Sequence, residues 1–200
     1  MKPSFRLFAM SSLLLLALPG CMVRSRNGDN GGKDVDIATP LGGMSVKTDS
    51  GAVQPKIGLP LYAGAVPERK QGKSDSSADV DMTFGHFHLR VLAMGFTSQD
   101  SPDKVRAFYH DALAKYSDVI ECRHQQPVGK PERTGLGLTC TDDNHVHTGS
   151  RGGDESSAAV ELKSGSPSRQ HIVSFQQEGG GTRFELISLE LPRGDEDSGA

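Results

Sequence analysis

The sequence predicts an α+β fold: an antiparallel sheet with one principal amphipathic helix packed on one of its faces. One segment, residues 101–118, carries apolar residues at helical spacing. Several other segments alternate apolar and polar residues, as half-buried strands do. Turns rich in Gly, Ser and Pro separate the last three of these segments, at residues 158–163, 171–176 and 183–191, which is typical of an antiparallel meander.

The helical segment has its own start signals. Asp100 or Ser101 can cap it, Pro102 suits its first turn, and Asp103 favours the positive end of the helix dipole. An apolar stripe of this kind must be buried against another element, here the sheet. Its members are Val105, Phe108, Tyr109, Ala112, Leu113 and Tyr116. Together with Tyr62, the tyrosines of this stripe are interpreted as aromatic residues at the edge of the core.

The pattern of residues 80–98 predicts a β-strand, and a turn near Gly85 would divide this strand in two. The alternation assigns opposite faces to two sets of side chains. One face carries Phe87, Leu89, Val91 and Ala93, and the other carries His86, His88 and Arg90.

Cys122 and Cys140 lie in two further segments that predict strands, residues 119–123 and 134–141. Pairing of these segments as a hairpin would bring the two cysteines face to face. An even pair in an oxidising compartment predicts a disulfide. Two free thiols or a metal-binding pair is the alternative.

The N-terminus predicts a secretory signal over residues 1–20. Lys2 and Arg6 precede an apolar stretch that is shorter than the roughly 20 residues needed to span a bilayer. The signal runs into Leu18-Pro19-Gly20-Cys21, which resembles the bacterial lipobox. A secreted protein with a stray cysteine is the alternative.

The lipobox resemblance implies that Cys21 carries diacylglycerol, that the signal is cut before it, and that its new amino group takes an acyl chain such as palmitate. Each buried methylene contributes about 0.8 kcal/mol, so several acyl chains hold a protein stably on a membrane. Met22, where an Asp would favour inner-membrane retention, favours the outer membrane. The expected location is the bacterial cell envelope, with the chain lipid-anchored and facing the periplasm.

The composition predicts one modest domain with flexible parts. Residues 21–55 begin polar and Gly-rich, and they are interpreted as a lipidated flexible tether or stalk. Within them, residues 34–49 alternate apolar residues around a Pro and two Gly, so this stretch could form a short hairpin or part of a longer stalk. Residues 56–192 form the predicted single α+β domain, and residues 193–200 an acidic disordered tail. The net charge of −3, without clustered Lys and Arg, does not favour a nucleic-acid partner.

Two histidine pairs are the clearest candidates for chemistry. His86 and His88 lie two residues apart, as do His145 and His147, and on a strand such pairs leave the same face about 6.5–7 Å apart. Imidazoles so placed can bind zinc or copper, and the two pairs would make a four-histidine site if they met. The alternative is that all four face solvent. The sequence contains no Gly-x-Ser-x-Gly nucleophile elbow. Residues 71–74 resemble the end of a phosphate loop, but the first glycine of that motif would fall at Pro67.

Two motifs together resemble a group of uncharacterised bacterial lipoproteins. The first motif, Pro-x-Tyr-x-Gly-Ala, is carried by Pro60, Tyr62, Gly64 and Ala65, with Ala63 where the group usually has Pro. The second is a helix motif carried by Ser101, Pro102, Val105, Phe108, Tyr109 and Leu113. The resemblance covers residues 57–140 and implies a periplasm-facing α+β domain, without an activity or a site.

The leading functional hypothesis is a membrane-anchored envelope lipoprotein, a non-catalytic binding or accessory module. Its expected partners are the membrane, through the N-terminal lipid, and another envelope protein. The alternative is a metal-binding or metal-dependent enzyme domain that uses the histidine pairs with zinc or copper. A carrier with a small-ligand pocket between helix and sheet is a third hypothesis.

Overall fold

The computed structural model describes residues 21–27, 32–69, 76–142 and 160–192. Within these residues eleven strands form one antiparallel sheet. The strands are β1 (Met22–Asn27), β2 (Lys33–Thr39), β3 (Gly42–Lys47), β4 (Val66–Pro67), β5 (Ser77–Phe84), β6 (Phe87–Ser98), β7 (Ile120–Arg123), β8 (Gln126–Pro127), β9 (Val160–Ser166), β10 (Arg169–Glu178) and β11 (Gly181–Glu190). Their order is β1-β2-β3-β5-β6-β11-β10-β9-β7-β8, and β4 pairs with β6.

The two helices, α1 (Ser50–Val53) and α2 (Pro102–Leu113), pack on the same side of the sheet, which we call the helical face. A 3₁₀ turn, Gln54–Lys56, follows α1 directly. The apolar stripe of α2 meets alternate residues of β6, β11, β10 and β9, and this contact is the main core. Its most buried members include Val53, Ile57, Phe96, Val105, Tyr109, Leu113, Leu162, Val173, Phe184 and Leu186.

The antiparallel sheet is confirmed, and its last three strands form the predicted meander β9-β10-β11. The predicted α+β class overstates the helical part. In the described residues the two helices have 4 and 12 residues, so the fold is dominated by its sheet.

The prediction of a flexible tether at residues 21–55 is wrong for the described part of that range. β1, β2 and β3 extend the same sheet outward from β5, and α1 follows β3. Side chains at every second position, such as Val35, Ile37, Met44 and Val46, give these strands one apolar face. The short hairpin offered as one interpretation of residues 34–49 corresponds to the antiparallel pair β2–β3.

The prediction that residues 134–141 form a strand is also wrong. Thr134 and Leu138 close a turn through a backbone hydrogen bond, and Gly137 takes a φ of +92° that favours glycine. The segment folds back over β7 instead of pairing with it. It nevertheless brings Cys140 to Cys122, and the structure joins the two in the predicted disulfide.

The face of β6 that packs in the main core is the opposite of the one predicted to be apolar. Leu92, Met94 and Phe96 point to the helical face and are almost fully buried, whereas Val91 and Ala93 lie on the other face and are half-buried. The sheet therefore carries apolar side chains on both faces at this strand.

Several predictions fall outside the described residues: the signal at 1–20, the tail at 193–200, and His145 and His147. Among the helices that the structure describes, none has the length and apolar character to cross a membrane.

Candidate functional site

Beyond the end of α2, the helical face of the sheet turns from apolar to charged. Asp81, Arg90, Glu190 and Arg169 are direct cross-strand neighbours on β5, β6, β11 and β10. Their charges alternate in sign across the four strands, and opposite charges at facing positions attract each other. The sequence thus places a row of alternating charges at one end of an otherwise apolar face.

A buried carboxylate holds one part of this row in place. Asp79 is 5% exposed, and its Oδ2 lies 2.8 Å from Lys56 Nζ and 3.6 Å from Arg90 Nη2. Arg90 Nε also lies 4.0 Å from Asp81 Oδ2. Arg90 is therefore balanced by two aspartates of β5, and we assign it a structural role.

A cleft of about 680 Å³ opens at this end of the sheet. Its walls come from the β5–β6 turn, the segment after α2, the loop after β8, and the ends of β9, β10 and β11. The residues that carry its chemistry are His86, His88, Tyr116, Arg169, His171 and Glu190.

One wall of the cleft is an aromatic stack. The rings of Tyr116 and His171 lie 3.8 Å apart, centroid to centroid, at an angle of 21°. The Tyr116 hydroxyl donates a hydrogen bond of 2.5 Å to the carbonyl of Gly58. Gly58 has a φ of +80°, and a Cβ there would lie 3.0 Å from the Tyr116 hydroxyl oxygen, so this position requires glycine. Three distant segments thus fix the stack.

His171 is biased toward its neutral form. Burial lowers the pKa of His171, the nearby charge of Arg169 lowers it further, and Glu190 opposes both effects. A neutral imidazole offers one donor and one acceptor nitrogen at neutral pH. The stack therefore presents a flat, polar and uncharged wall.

Arg169 supplies the positive charge of the cleft. It is exposed at the start of β10, and its guanidinium offers five donors in a planar fork that matches carboxylates and phosphates. It lies two residues from His171, on the same face of the strand. The cleft can therefore bind an anionic group beside a flat ring.

A second cleft, of about 750 Å³, adjoins the first. Tyr116 and Leu136 line both clefts, and both side chains are exposed. They form a ridge between the two, and His110 and Asp118 lie on its far side.

The histidine prediction is partly corrected. His86 lies in the two-residue turn between β5 and β6 and not on a strand, while His88 is on β6 with its Nε2 3.4 Å from Asp81 Oδ2. The residues described by the structure contain no group of three His, Cys, Asp or Glu side chains able to hold a metal ion. Because His145 and His147 are not among them, the four-histidine site stays a prediction.

Sequence reasoning missed most of the cleft. Arg169, His171 and Glu190 come from strands predicted only as parts of a meander, and Tyr116 was assigned to the edge of the core although it is exposed. A signal for the cleft was present in the sequence. Polar residues occupy alternate positions at the ends of two apolar strands: Arg169 and His171 on one, Ser188 and Glu190 on the other.

Comparisons of the chain with protein-family models, curated proteins and solved structures found no significant match. The function must therefore be argued from the residues of this chain.

Proposed function

We propose that this protein is a lipid-anchored lipoprotein of the bacterial cell envelope whose domain binds another envelope component, without catalysing a reaction. One observation carries the proposal. The lipobox-like Leu18-Pro19-Gly20-Cys21 ends immediately before the first strand of a folded domain, and Cys21 is exposed there. The outer membrane, facing the periplasm, is the proposed location.

The position of the cleft supports a binding role near the anchor. Met22 on β1 belongs to a row of direct cross-strand neighbours that ends on β6. The other members of the row are Ala38, Gly43, Thr83 and His88. Strands lie about 4.8 Å apart, so His88 is roughly 19 Å from the residue beside the anchor. The cleft thus opens at the end of the sheet that carries the lipid.

The chemistry of the cleft indicates what the partner presents there. An exposed Arg169, a neutral His171 and the ring of Tyr116 suit a carboxylate or phosphate group next to a flat or apolar group. A segment of another envelope protein would supply both, and this is the partner that we propose.

We expect Cys21→Ser to abolish lipidation, because the acyl chain needs the thiol. Mass spectrometry should show that the mature wild-type chain, extracted from membranes, begins at Cys21 and that this residue carries the mass of acyl groups. The Cys21→Ser variant should lack that added mass. The matched control Met22→Ser should keep both the cleavage site and the added mass. An unmodified Cys21 in the mature wild-type chain would contradict the anchor.

A further inference from the structure

The side of the sheet opposite the helical face is apolar across its first five paired strands, β1, β2, β3, β5 and β6. We call it the apolar face. One of its rows runs through directly opposed neighbours on these strands, and each member is half-buried or exposed. The row is Val23, Ile37, Met44, Met82 and Leu89. Since α1 and α2 both pack on the helical face, neither helix covers this row.

A second row lies one pleat further from the anchored end. Its members are again direct neighbours, and they extend the apolar face onto β11. They are Val35, Val46, Val80, Val91 and Leu189. The two rows are each about 19 Å wide, given a strand spacing of about 4.8 Å. On β5, β6 and β11 the opposite side of the sheet carries the row of alternating charges.

The two most exposed large apolar side chains of the described residues lie where this face meets the end of the sheet. Leu41, in the β2–β3 turn, is 82% exposed, and Val23 on β1 is 65% exposed. Half of the exposed large hydrophobic residues within the described ranges belong to this end of the sheet. We call this group the apolar tip: Met22, Val23, Leu41, Phe84 and Phe87.

The apolar tip is free of formal charge except for its histidines. The segments that form it, residues 21–23, 38–43 and 83–88, contain no Asp, Glu, Lys or Arg. The nearest charged residues on these strands, such as Arg24 and Asp81, point to the helical face. Exposed apolar side chains without charge are the composition that enters the interface of a bilayer at low cost.

Cys21 lies on the same face of the sheet as three members of the apolar tip, Val23, Phe84 and Phe87. Met22 points to the helical face at the same end, and Leu41 lies in the β2–β3 turn. Continuing the alternation of β1 back by two residues from Val23 places Cys21 on the apolar face, beside Thr39 and close to Gly42 and Phe84 in the register. A lipid on Cys21 would therefore leave the domain from the end and the face where its apolar side chains are exposed.

We propose that the apolar tip inserts into the lipid surface that holds the acyl chains of Cys21, so that the domain lies on the membrane in one fixed orientation. The inference rests on the proposed function, because it requires the lipid anchor. In this arrangement no flexible tether separates the lipid from the domain. The chain passes directly from Cys21 into β1, and the side chains of the apolar tip beside β1 contact the bilayer.

The absence of tryptophan from the sequence allows a direct test. Leu41→Trp and Phe84→Trp each place a single tryptophan in the apolar tip of the full, lipid-modified chain. Val66→Trp is the matched control, because Val66 is 60% exposed but pairs with Thr97, at the opposite end of β6. That position lies about 33 Å along the strand from Phe87. The vesicles contain phosphatidylethanolamine and phosphatidylglycerol, with or without brominated acyl chains.

We expect the emission of Leu41→Trp and Phe84→Trp to shift to shorter wavelength on vesicle binding and to lose intensity with brominated lipids. The emission of Val66→Trp should change in neither way. Vesicle binding without quenching at the tip would overturn this inference and leave the anchor intact. A blue shift without bromine quenching, together with a dimeric mass, would overturn it in favour of a second copy on the tip. Failure of the wild-type chain to bind vesicles at all would overturn the proposed function itself.

Discussion

Replacing Tyr109 with Ala should lower the free energy of unfolding by about 3–5 kcal/mol, the range for removing a large aromatic side chain from a core. Tyr109 on α2 is fully buried. Its ring centroid lies 5.4 Å from that of Phe184 and 6.3 Å from that of Phe175, so it connects the helix to two strands of the sheet.

The hydroxyl of Tyr109 makes a separate and smaller contribution. It accepts a hydrogen bond of 3.2 Å from the backbone N–H of Tyr62, and burial raises the pKa of Tyr109. Tyr109→Phe keeps the ring and orphans that N–H, which should cost about 1 kcal/mol. Urea unfolding of the two variants separates the effects, provided the slope of the transition is unchanged. A loss in Tyr109→Ala no larger than in Tyr109→Phe would show that the ring does not hold the helix on the sheet.

Removing the disulfide with Cys122→Ala and Cys140→Ala together should cost about 3 kcal/mol on the chain-entropy model for a loop of this size. The two cysteines are 18 residues apart in sequence. With Ile120 and Leu138 they form a small hydrophobic cluster of their own, separate from the main core. The bridge is therefore the principal covalent tie for the segment that lies over β7.

The same segment carries Leu136 of the cleft ridge, so the bridge supports the candidate site as well as the fold. Thermal unfolding of the double variant should match that of the wild-type chain kept reduced, which serves as the control for the lost side-chain volume. Limited proteolysis should cut the double variant within residues 124–142 before the rest of the domain. Equal melting temperatures for oxidised and reduced wild type would contradict this role.

The elements that the sequence predicted well are those whose signals are local. The stripe of Val105, Tyr109 and Leu113 repeats at helical spacing within one segment, and it lies on α2. The meander β9-β10-β11 has an alternating pattern interrupted by turn residues such as Gly179 and Gly180, both at positive φ. In each case the pattern and the element occupy the same stretch of chain.

The outer strands β1 to β3 were not predicted as part of the sheet, and the reason is physical. β1 to β3 are six or seven residues long, so each offers only two or three alternations, and glycines lie between and within them. Their stability comes from pairing with β5 and with each other, which no local window reports. The alternation at residues 34–49 therefore indicated at most a short hairpin within a stalk, and not three strands of the main sheet.

The cleft could not be assembled from sequence because strand order creates it. β11 inserts between β6 and β10, so Arg90, Glu190 and Arg169 become neighbours although about 80 to 100 residues separate the first from the other two. The Tyr116–His171 stack depends in addition on Gly58, from a third region. Contacts of this kind follow from the register of the sheet and not from any motif.

The central claim is that the cleft of the lipid-anchored protein contacts another envelope component. A photo-crosslinking amino acid at Leu136, on the cleft ridge, tests it in living cells, with the same amino acid at Val128, which is exposed but lines neither cleft, as control. We predict one discrete crosslinked species from Leu136, absent from Val128 and lost when Arg169→Glu is added. Identical products from both positions, or products indifferent to Arg169→Glu, would contradict the claim.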